Sequence, residues 1–343
     1  MAFYDSLFNS FGLREWCDAS AGSAKMTMAS LLAKTNPDAA DEGPVFPFPS
    51  MDELYKACPS FPQSREFTAG VEEAFLNAKD VLKTVLDPLT QPLSWLLEGA
   101  LFIFLAAPWW IVVPLILLFV WYVCRSVAVT TFVTVSFAFL AFIDHLDAAL
   151  QTLAIIAVCT GICIILGVPV GIAMAKSNRF QRSLLPLLDL LQTLPTFVYL
   201  IPLIFLFSVT EPKLYGIAII VYAIVPVIRL TDLGIRLVDQ DVVEAANAFG
   251  MSSRQKLFGI ELPLALPNIM AGVNQTIMMS LAMVVIASLV SAPGLGVLVL
   301  RGIRNLELGV GLIAGLGIVL LAVILDRVSK AAIARVSSDQ TFK

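Results

Sequence analysis

The chain has 343 residues, of which 58% are apolar and only 14% are charged, and its mean hydropathy is +0.87. Soluble globular proteins contain roughly 45–50% apolar and about 25% charged residues, so this chain has too few polar side chains to cover a water-facing fold. The composition therefore predicts an integral membrane protein. A net charge of −4 also argues against nucleic acid as a partner.

The acidic residues are concentrated near the N-terminus. Residues 1–108 carry 14 acidic and 7 basic side chains, whereas residues 109–343 carry 12 and 15. We therefore predict that residues 1–100 form an acidic tail, with an amphipathic segment over 71–100 at its end. No signal peptide is visible, because charged residues interrupt the stretch where its apolar core would lie.

The tail is rich in proline, which favours an extended chain over a packed domain. Six prolines lie between Asn36 and Pro62, and phenylalanines alternate with them. A disordered tail and a contact surface for an external partner or for the membrane both remain open. Cys17 and Cys58 could form a disulfide only if the tail lies in an oxidising compartment.

Seven stretches are apolar and long enough to cross a membrane, which takes roughly 20 residues. They are 101–123, 127–143, 150–174, 184–208, 214–235, 267–292 and 308–326. The first is interrupted by Pro108 and Pro114, so a kinked crossing is predicted, with a hairpin as the alternative. Within the core, Gly167 with Gly171 and Gly311 with Gly315 have the spacing of close helix contacts.

This count divides the chain into four parts. Residues 101–143 form the first two transmembrane helices, 144–330 a core that includes a long loop over 236–266, and 331–343 a C-terminal tail. The fold class predicted is thus an all-α membrane protein with about seven transmembrane helices and an extended N-terminal tail.

The positions of lysine and arginine in the connecting loops predict the orientation. One set of loops holds 12 of them: Arg125, Lys176, Arg179, Arg182, Arg229, Arg236, Arg254, Lys256, Arg327, Lys330, Arg335 and Lys343. The opposite set holds three: Lys213, Arg301 and Arg304. Because cytoplasmic loops are enriched in basic residues, the first set is predicted to be cytoplasmic. Seven crossings then place the N-terminus outside and the C-terminus inside, whereas the hairpin alternative would keep the tail inside.

Several kinds of catalytic site are excluded by the residues present. The single histidine, His145, lies in a short loop and is predicted to be solvated, and one histidine cannot form a multi-histidine metal site. No Gly-Lys dipeptide occurs, so the chain has no phosphate-binding P-loop. We therefore expect no enzymatic activity and no cofactor in this chain, with any ATP and magnesium bound by another subunit.

The longest internal loop predicts two short helices separated by a sharp break. Asp239 begins the first helix, and Gly250 ends it in a left-handed conformation. Ser252 and Gln255 have the spacing of a capping box that starts the second helix, whose end is predicted at Pro263. The first helix is also predicted to present a small, partly apolar face for docking on a partner, formed by Val243, Ala245, Ala246 and Phe249.

The same loop resembles the signature E-A-A-x3-G-x9-I-x-L-P of the permease subunits of binding-protein-dependent ABC importers. All seven fixed positions match, at Glu244, Ala245, Ala246, Gly250, Ile260, Leu262 and Pro263. The resemblance implies that this loop is the coupling helix, which sits in a cleft of the ATP-binding subunit. It also implies a type I ABC importer permease core.

Further motifs resemble the glycine betaine/proline betaine permeases within that family. They are PLLD at 186–189, LPTFVYL at 194–200, PVIRL at 226–230, AGVNQT at 271–276, MVVIAS at 283–288 and LRGIR at 300–304. Together they cover roughly 145–330. The turn before Gly294 is poorer in glycine than that subfamily's pattern. The resemblance implies uptake of a compatible solute such as glycine betaine, proline betaine, choline or trimethylamine N-oxide.

Polar residues at membrane depth are candidates for a translocation path, because they are costly there unless they face a cavity or a partner. They are Asp189, Gln192, Tyr199, Asn274, Gln275, Thr276 and Ser280. For Asp189, an alternative is an ion pair with Arg182 or another basic group. For the residues over 274–280, hydrogen bonds between helices are the alternative. Pro195 and Pro202 are predicted to bend the crossing that carries Asp189.

These features predict the membrane subunit of an ATP-driven importer in the bacterial inner membrane that works by alternating access. The expected partners are a second copy of the chain, a dimer of ATP-binding subunits, a periplasmic substrate-binding protein and membrane lipid. An autonomous secondary transporter or osmotic channel is the alternative, and a receptor-like sensor is a weaker one, because the chain shows no regulatory domain.

Overall fold

The computed structural model describes residues 4, 8–12, 58 and 64–341, and in them it contains helices and no strand. The helices are α1 (Ser64–Ala106), α2 (Trp109–Cys124), α3 (Val127–Phe142), α4 (Leu146–Lys176), α5 (Asn178–Thr193), α6 (Leu200–Leu206), α7 (Pro212–Arg236), α8 (Gln240–Ala248), α9 (Ser253–Lys256), α10 (Leu262–Ala287), α11 (Leu295–Arg304) and α12 (Leu308–Thr341). A π-helical turn, Leu257–Glu261, joins α9 to α10, and a 3₁₀ turn, Ser288–Val290, follows α10.

The chain divides into two units, residues 1–80 and 81–343. In the first unit, the described residues are the beginning of α1 and a few positions before it. The rings of Tyr4 and Phe8 stack with their centroids 6.5 Å apart. Cys58 is buried and disulfide-bonded. Cys17 and the proline-rich segment, apart from Cys58, lie outside the described residues.

Five of the described helices are long and apolar enough to cross a membrane, and two shorter ones, α2 and α3, are also apolar. The long ones cover 68–106, 146–176, 212–236, 253–290 and 308–335. Both α2 and α3 have 16 residues, which at 1.5 Å per residue is about 24 Å and less than the ~30 Å of a hydrocarbon core. The all-helical membrane architecture is therefore confirmed.

The first predicted stretch, 101–123, is divided between two helices. Helix α1 ends at Ala106, and Pro108 is the N-cap of α2. Proline has no backbone N–H to continue the hydrogen bonds of α1, and it disfavours the helical conformation at the residue before it. Residue 100, the predicted end of the tail, lies inside α1. At the other end of the chain, residues 331–341 continue α12 instead of leaving it as a tail.

The predicted crossing over 184–208 is also broken. Helix α5 ends at Thr193, Leu194 is extended at φ −66° and ψ 132°, and α6 begins at Leu200. Pro195 accounts for the break, because the residue before a proline is pushed out of the helical region. The predicted irregular backbone at Pro195 is therefore confirmed, and it gives a non-helical segment beside the membrane core.

Helix α7 is the centre of the second unit and is buried along most of its length between α4 and α10. Glycines allow this close approach. A Cβ atom at Gly171 of α4 would lie 2.6 Å from Thr231 Cβ and 2.7 Å from the Ile228 carbonyl oxygen of α7. The predicted packing role of Gly171 is confirmed. Gly311 packs against Gly302 of α11, but a Cβ at Gly315 would meet nothing within 4 Å.

Besides the packing around α7, an apolar cluster joins α2, α3, α4, α11 and α12. Phe137, Leu140, Leu150 and Leu321 are almost completely buried in it. Many other large apolar side chains of the second unit are exposed, including Phe142, Ile165 and Leu312. This pattern is typical of a protein whose outer surface contacts lipid tails.

Two basic residues that the sequence placed in loops lie inside α7. Lys213 is buried and pairs with Asp87 of α1 at 2.7 Å and with Glu211 at 2.9 Å. Arg229 lies seven residues before the end of the helix. Without these two residues, the two sets of loops hold 11 and 2 lysine and arginine residues, so the predicted orientation does not depend on them.

Candidate coupling segment and translocation path

The segment 239–263 begins with a well-capped helix. The Asp239 carboxylate accepts a hydrogen bond from the Asp241 N–H at 3.0 Å, which satisfies one of the free donors at the start of α8. Asp241 lies in the first turn, where its charge complements the helix dipole. The predicted start of the first helix is confirmed.

Gly250 ends α8 in the left-handed conformation that the sequence predicts, with φ at +73°. The Gly250 N–H donates to the Asn247 carbonyl at 3.0 Å, and the Met251 N–H donates to the Ala246 carbonyl at 3.1 Å. This pair of bonds is the Schellman motif, which satisfies the last carbonyl groups of a helix. The sharp break is therefore held by backbone hydrogen bonds.

The second helix begins with the predicted capping box. The Ser252 hydroxyl accepts from the Gln255 N–H at 3.4 Å, and the Gln255 side chain accepts from the Ser252 N–H at 2.8 Å. The prediction that this helix ends at Pro263 is wrong. The helical backbone continues through the π turn into α10, and Pro263 occupies the first turn of α10. Proline is tolerated there because the first-turn N–H groups bond little within a helix.

The seven signature residues are divided between an exposed and a packed set. Glu244, Ala245 and Gly250 are exposed, Ala246 is buried, and the remaining three are half-buried: Ile260, Leu262 and Pro263. Leu262 packs with Val243 against an apolar cluster on α7 and α10. Val243 and Ala246 therefore face the core, and the predicted single apolar face of α8 is wrong in this detail.

The outward surface of the segment carries two large aromatic side chains. Phe249 is 88% exposed and Phe258 is 67% exposed. The Lys256 ammonium donates to the Asn247 side-chain oxygen at 2.9 Å and links α9 to α8. The exposed surface of the segment thus contains Glu244, Ala245, Phe249 and Phe258, and a hydrogen bond holds the two short helices together. Phe258 was not identified from the sequence, since it lies at an unspecified position of the signature.

An ion pair connects the same segment to α4. Lys176, the last residue of α4, pairs with Glu261 of the π turn. Glu261 is 5% exposed, so its carboxylate depends on this partner. The same end of α4 is also connected to α7: the Arg236 guanidinium donates to Asp232 of its own helix and to the Met174 carbonyl of α4, both at 2.8 Å. Asp232 and Arg236 are four residues apart on α7, whereas the Lys176–Glu261 and Arg236–Met174 contacts join distant parts of the chain and were not predicted.

The candidate path residues on α5 lie on an open face. Asp189 is exposed and pairs with Arg229 of α7, which agrees with the alternative of an ion pair with a basic group other than Arg182. Gln192, one turn further on, donates to the Met279 sulfur of α10 at 4.0 Å. These contacts bring three helices together at one site. Tyr199 lies in the non-helical segment that follows, and its hydroxyl is buried with no hydrogen-bond partner within the described part of the chain.

The four polar residues of α10 point in different directions. Asn274 hydrogen-bonds to Ser329 and to Asp326 of α12, which agrees with the alternative of bonding between helices. Thr276 and Ser280 are buried, and the Thr160 hydroxyl of α4 donates to Ser280 at 3.2 Å. Gln275 is exposed. Of this set, only Gln275 has its side chain on an open face, because consecutive helical residues are about 100° apart.

His145 is half-buried, contrary to the predicted solvated position. Its Nδ1 lies 2.6 Å from the Ile143 carbonyl oxygen, and its Nε2 is buried with no hydrogen-bond partner over residues 4, 8–12, 58 and 64–341.

Comparison with known proteins agrees with this architecture. Residues 167–338 match the family "Binding-protein-dependent transport system inner membrane component". The chain is 37% identical over 321 residues to the glycine betaine/proline betaine transport system permease protein ProW of Escherichia coli, covering 92% of this chain and 88% of ProW. It is 42% identical over 229 residues to the glycine betaine transport system permease protein OpuAB of Bacillus subtilis, covering 66% and 76%.

Among solved structures, a chain of the MetNI methionine ABC transporter in an inward-facing conformation is similar in fold. It has a TM-score of 0.51 and 18% sequence identity, and the similarity covers 56% of this chain and 95% of that one. This similarity concerns the fold alone and agrees with a permease core of the ABC importer type. The chain belongs to the family of binding-protein-dependent transport system inner membrane components.

Proposed function

We propose that this chain is the permease subunit of an ATP-driven importer for quaternary or methylated amines, with glycine betaine the first candidate. The names of the relatives support the substrate class. Proline betaine, choline and trimethylamine N-oxide belong to the same chemical class. ATP and magnesium are bound by a separate subunit, and this chain itself hydrolyses nothing.

The observation that carries the proposal is the exposed surface of the segment 239–263. Glu244, Ala245, Phe249 and Phe258 lie outward, while the rest of the segment is fixed to the core by Leu262 and by the Lys176–Glu261 pair. An exposed aromatic anchor on a rigid support is the usual centre of a protein interface. The segment therefore suits docking into a cleft of an ATP-binding subunit, whose closure would move it.

The proposed orientation places this segment and the C-terminus in the cytoplasm and the N-terminal tail in the periplasm, with the chain in the inner membrane and in contact with lipid. The distribution of lysine and arginine supports it. External protease added to cells with a permeable outer membrane should then digest the tail, and protection of the tail would contradict this orientation.

The proposed assembly has two copies of the chain. An open stripe on α10 supports a second copy, with Leu264, Pro267, Ala271 and Gln275 exposed at spacings of three or four residues. Within this stripe, the small Ala271 suits a close helix contact in a membrane, and the polar Gln275 suits a polar path between subunits. A periplasmic substrate-binding protein would deliver the solute from outside, and alternating access would follow from closure of the ATP-binding subunits.

Co-purification with the ATP-binding subunit tests this function. We expect Phe249→Ser to reduce recovery of that subunit about tenfold, since removal of a buried aromatic anchor from an interface costs about 1–2 kcal/mol or more. Phe142→Ser is the matched control, because Phe142 is 87% exposed but lies at the end of α3, away from the segment. Equal recovery with both variants would contradict docking through this surface.

A further inference from the structure

The ion pair between Asp189 and Arg229 is unusual for a membrane protein because both side chains are exposed. Asp189 is 61% exposed and Arg229 is 34% exposed. Arg229 lies inside α7, a helix long and apolar enough to cross a membrane, and the pair joins that helix to α5. Charged residues at this depth are costly and rare unless they face a water-filled cavity or a partner. If the pair served only to hold two helices together, we would expect both side chains to be buried between those helices.

Hydrogen-bonding capacity also remains unused around this pair. The Nε atom of Arg229 is buried and has no hydrogen-bond partner among the residues that the structure describes. The Gln192 amide, one turn from Asp189, donates to the Met279 sulfur at 4.0 Å, and a thioether is a weak acceptor. The site therefore offers the exposed part of a guanidinium and an amide that can donate hydrogen bonds, and a carboxylate that can accept them.

A small zwitterion matches this arrangement in charge and in size. Its carboxylate can replace that of Asp189 on the Arg229 guanidinium, which binds carboxylates through two parallel hydrogen bonds. The released Asp189 carboxylate then faces the cationic ammonium end. Because the pair and the solute are each neutral overall, this exchange brings no net charge into the membrane.

We propose that Asp189 and Arg229 form a low-affinity exchange site for zwitterionic solutes that carry a carboxylate and a quaternary or methylated ammonium group. The proposal rests on the proposed function and adds a step inside the permease. Binding is weak because the solute must separate Asp189 from Arg229. Weak binding suits a transport site, which must release its ligand. A cation without a carboxylate, such as choline, would leave Arg229 without a counter-charge and would bind less well.

Saturation-transfer NMR on the complete transporter in nanodiscs, without the binding protein, tests this site. The probe is glycine betaine at millimolar concentration, observed through its methyl protons. The double variant Asp189→Asn/Arg229→Gln keeps two groups that can hydrogen-bond to each other but removes both charges. We expect its methyl signal to fall about tenfold, and we expect choline to displace glycine betaine poorly from the unmodified protein.

The matched control is Asp326→Asn/Lys330→Gln, which neutralises another ion pair of the membrane body, 2.8 Å long and located on α12. Its signal should equal that of the unmodified protein. Equal signals in both double variants, or no signal in the unmodified protein, would overturn the exchange site. Uptake of glycine betaine by the complete transporter with its binding protein is measured in parallel. Uptake without a methyl signal refutes the site alone, whereas a lack of ATP-dependent uptake refutes the proposed function.

Discussion

At the scale of a single residue, Gly250 fixes the shape of the candidate coupling segment, residues 239–263. Its φ of +73° lies in the left-handed region, where a side chain with a Cβ atom is strained by about 1–2 kcal/mol. No atom of the described residues lies within 4 Å of the position that a Cβ would take, so conformation and not space is what requires glycine here. The turn places Phe249 outward and directs the chain into the capping box.

Replacement of Gly250 should therefore weaken coupling between ATP hydrolysis and uptake. We expect Gly250→Ala to lower the amount of solute carried per ATP hydrolysed about fivefold or more, because 1–2 kcal/mol changes a conformational population by a factor of roughly 5–30. The measurement compares uptake with ATP hydrolysis in reconstituted vesicles.

Two controls separate backbone strain from loss of a glycine. Gly259→Ala should behave like the unmodified protein, since Gly259 has no positive φ and its Cβ would make an ordinary 3.7 Å contact with Met251. Gly250→Asn should retain most of the coupling, because asparagine tolerates the left-handed conformation. Full coupling in Gly250→Ala would show that the turn geometry does not matter.

At the scale of elements, the coupling segment is continuous with the helix that it is proposed to move. The helical backbone runs from Ser253 through the π turn to Ala287. The Lys176–Glu261 pair ties this backbone to the end of α4, which packs on α7. A displacement of α8 and α9 would therefore be carried to two core helices together.

This connection predicts an asymmetric effect of removing either charge. Lys176→Met leaves the buried Glu261 carboxylate without its partner, and we expect a loss of about 1–3 kcal/mol in the free energy of unfolding. Glu261→Gln leaves a neutral amide and an ammonium that is 41% exposed, so its loss should be smaller. Thermal unfolding of the purified protein measures both.

The double variant Lys176→Met/Glu261→Gln completes the thermodynamic cycle. It should be more stable than Lys176→Met alone, because no unpaired charge remains buried. Additive losses in the three variants would indicate that the two residues do not interact.

At the scale of the whole molecule, sequence periodicity predicted what depends on local chemistry. The N-cap at Asp239, the glycine turn and the capping box each follow from residues close in the chain, and the structure confirms them. Of the predicted apolar stretches, 101–123 and 184–208 are each divided between two helices near a proline. The prediction that a helix ends at Pro263 was wrong. Proline often marks the end of a helix, but it is also found in the first turn, where Pro263 lies in α10.

Contacts between distant residues could not be predicted in the same way. Apolar periodicity does not tell which side chain of α7 reaches Asp189, nor that Glu261 meets Lys176. The polar run of α10 was recognised as a group, but its residues diverge around the helix and only Gln275 lies on an open face. Such pairings depend on helix rotation and packing, which the family signature of the coupling segment does not specify.

The requirement for ATP in uptake tests the central claim most directly. The chain is reconstituted in vesicles with its ATP-binding subunit and binding protein, and accumulation of labelled glycine betaine is followed against a concentration gradient. We predict accumulation with hydrolysable ATP and none with a non-hydrolysable analogue or without the ATP-binding subunit. Equal accumulation by the chain alone would contradict the account and would identify an autonomous transporter or channel.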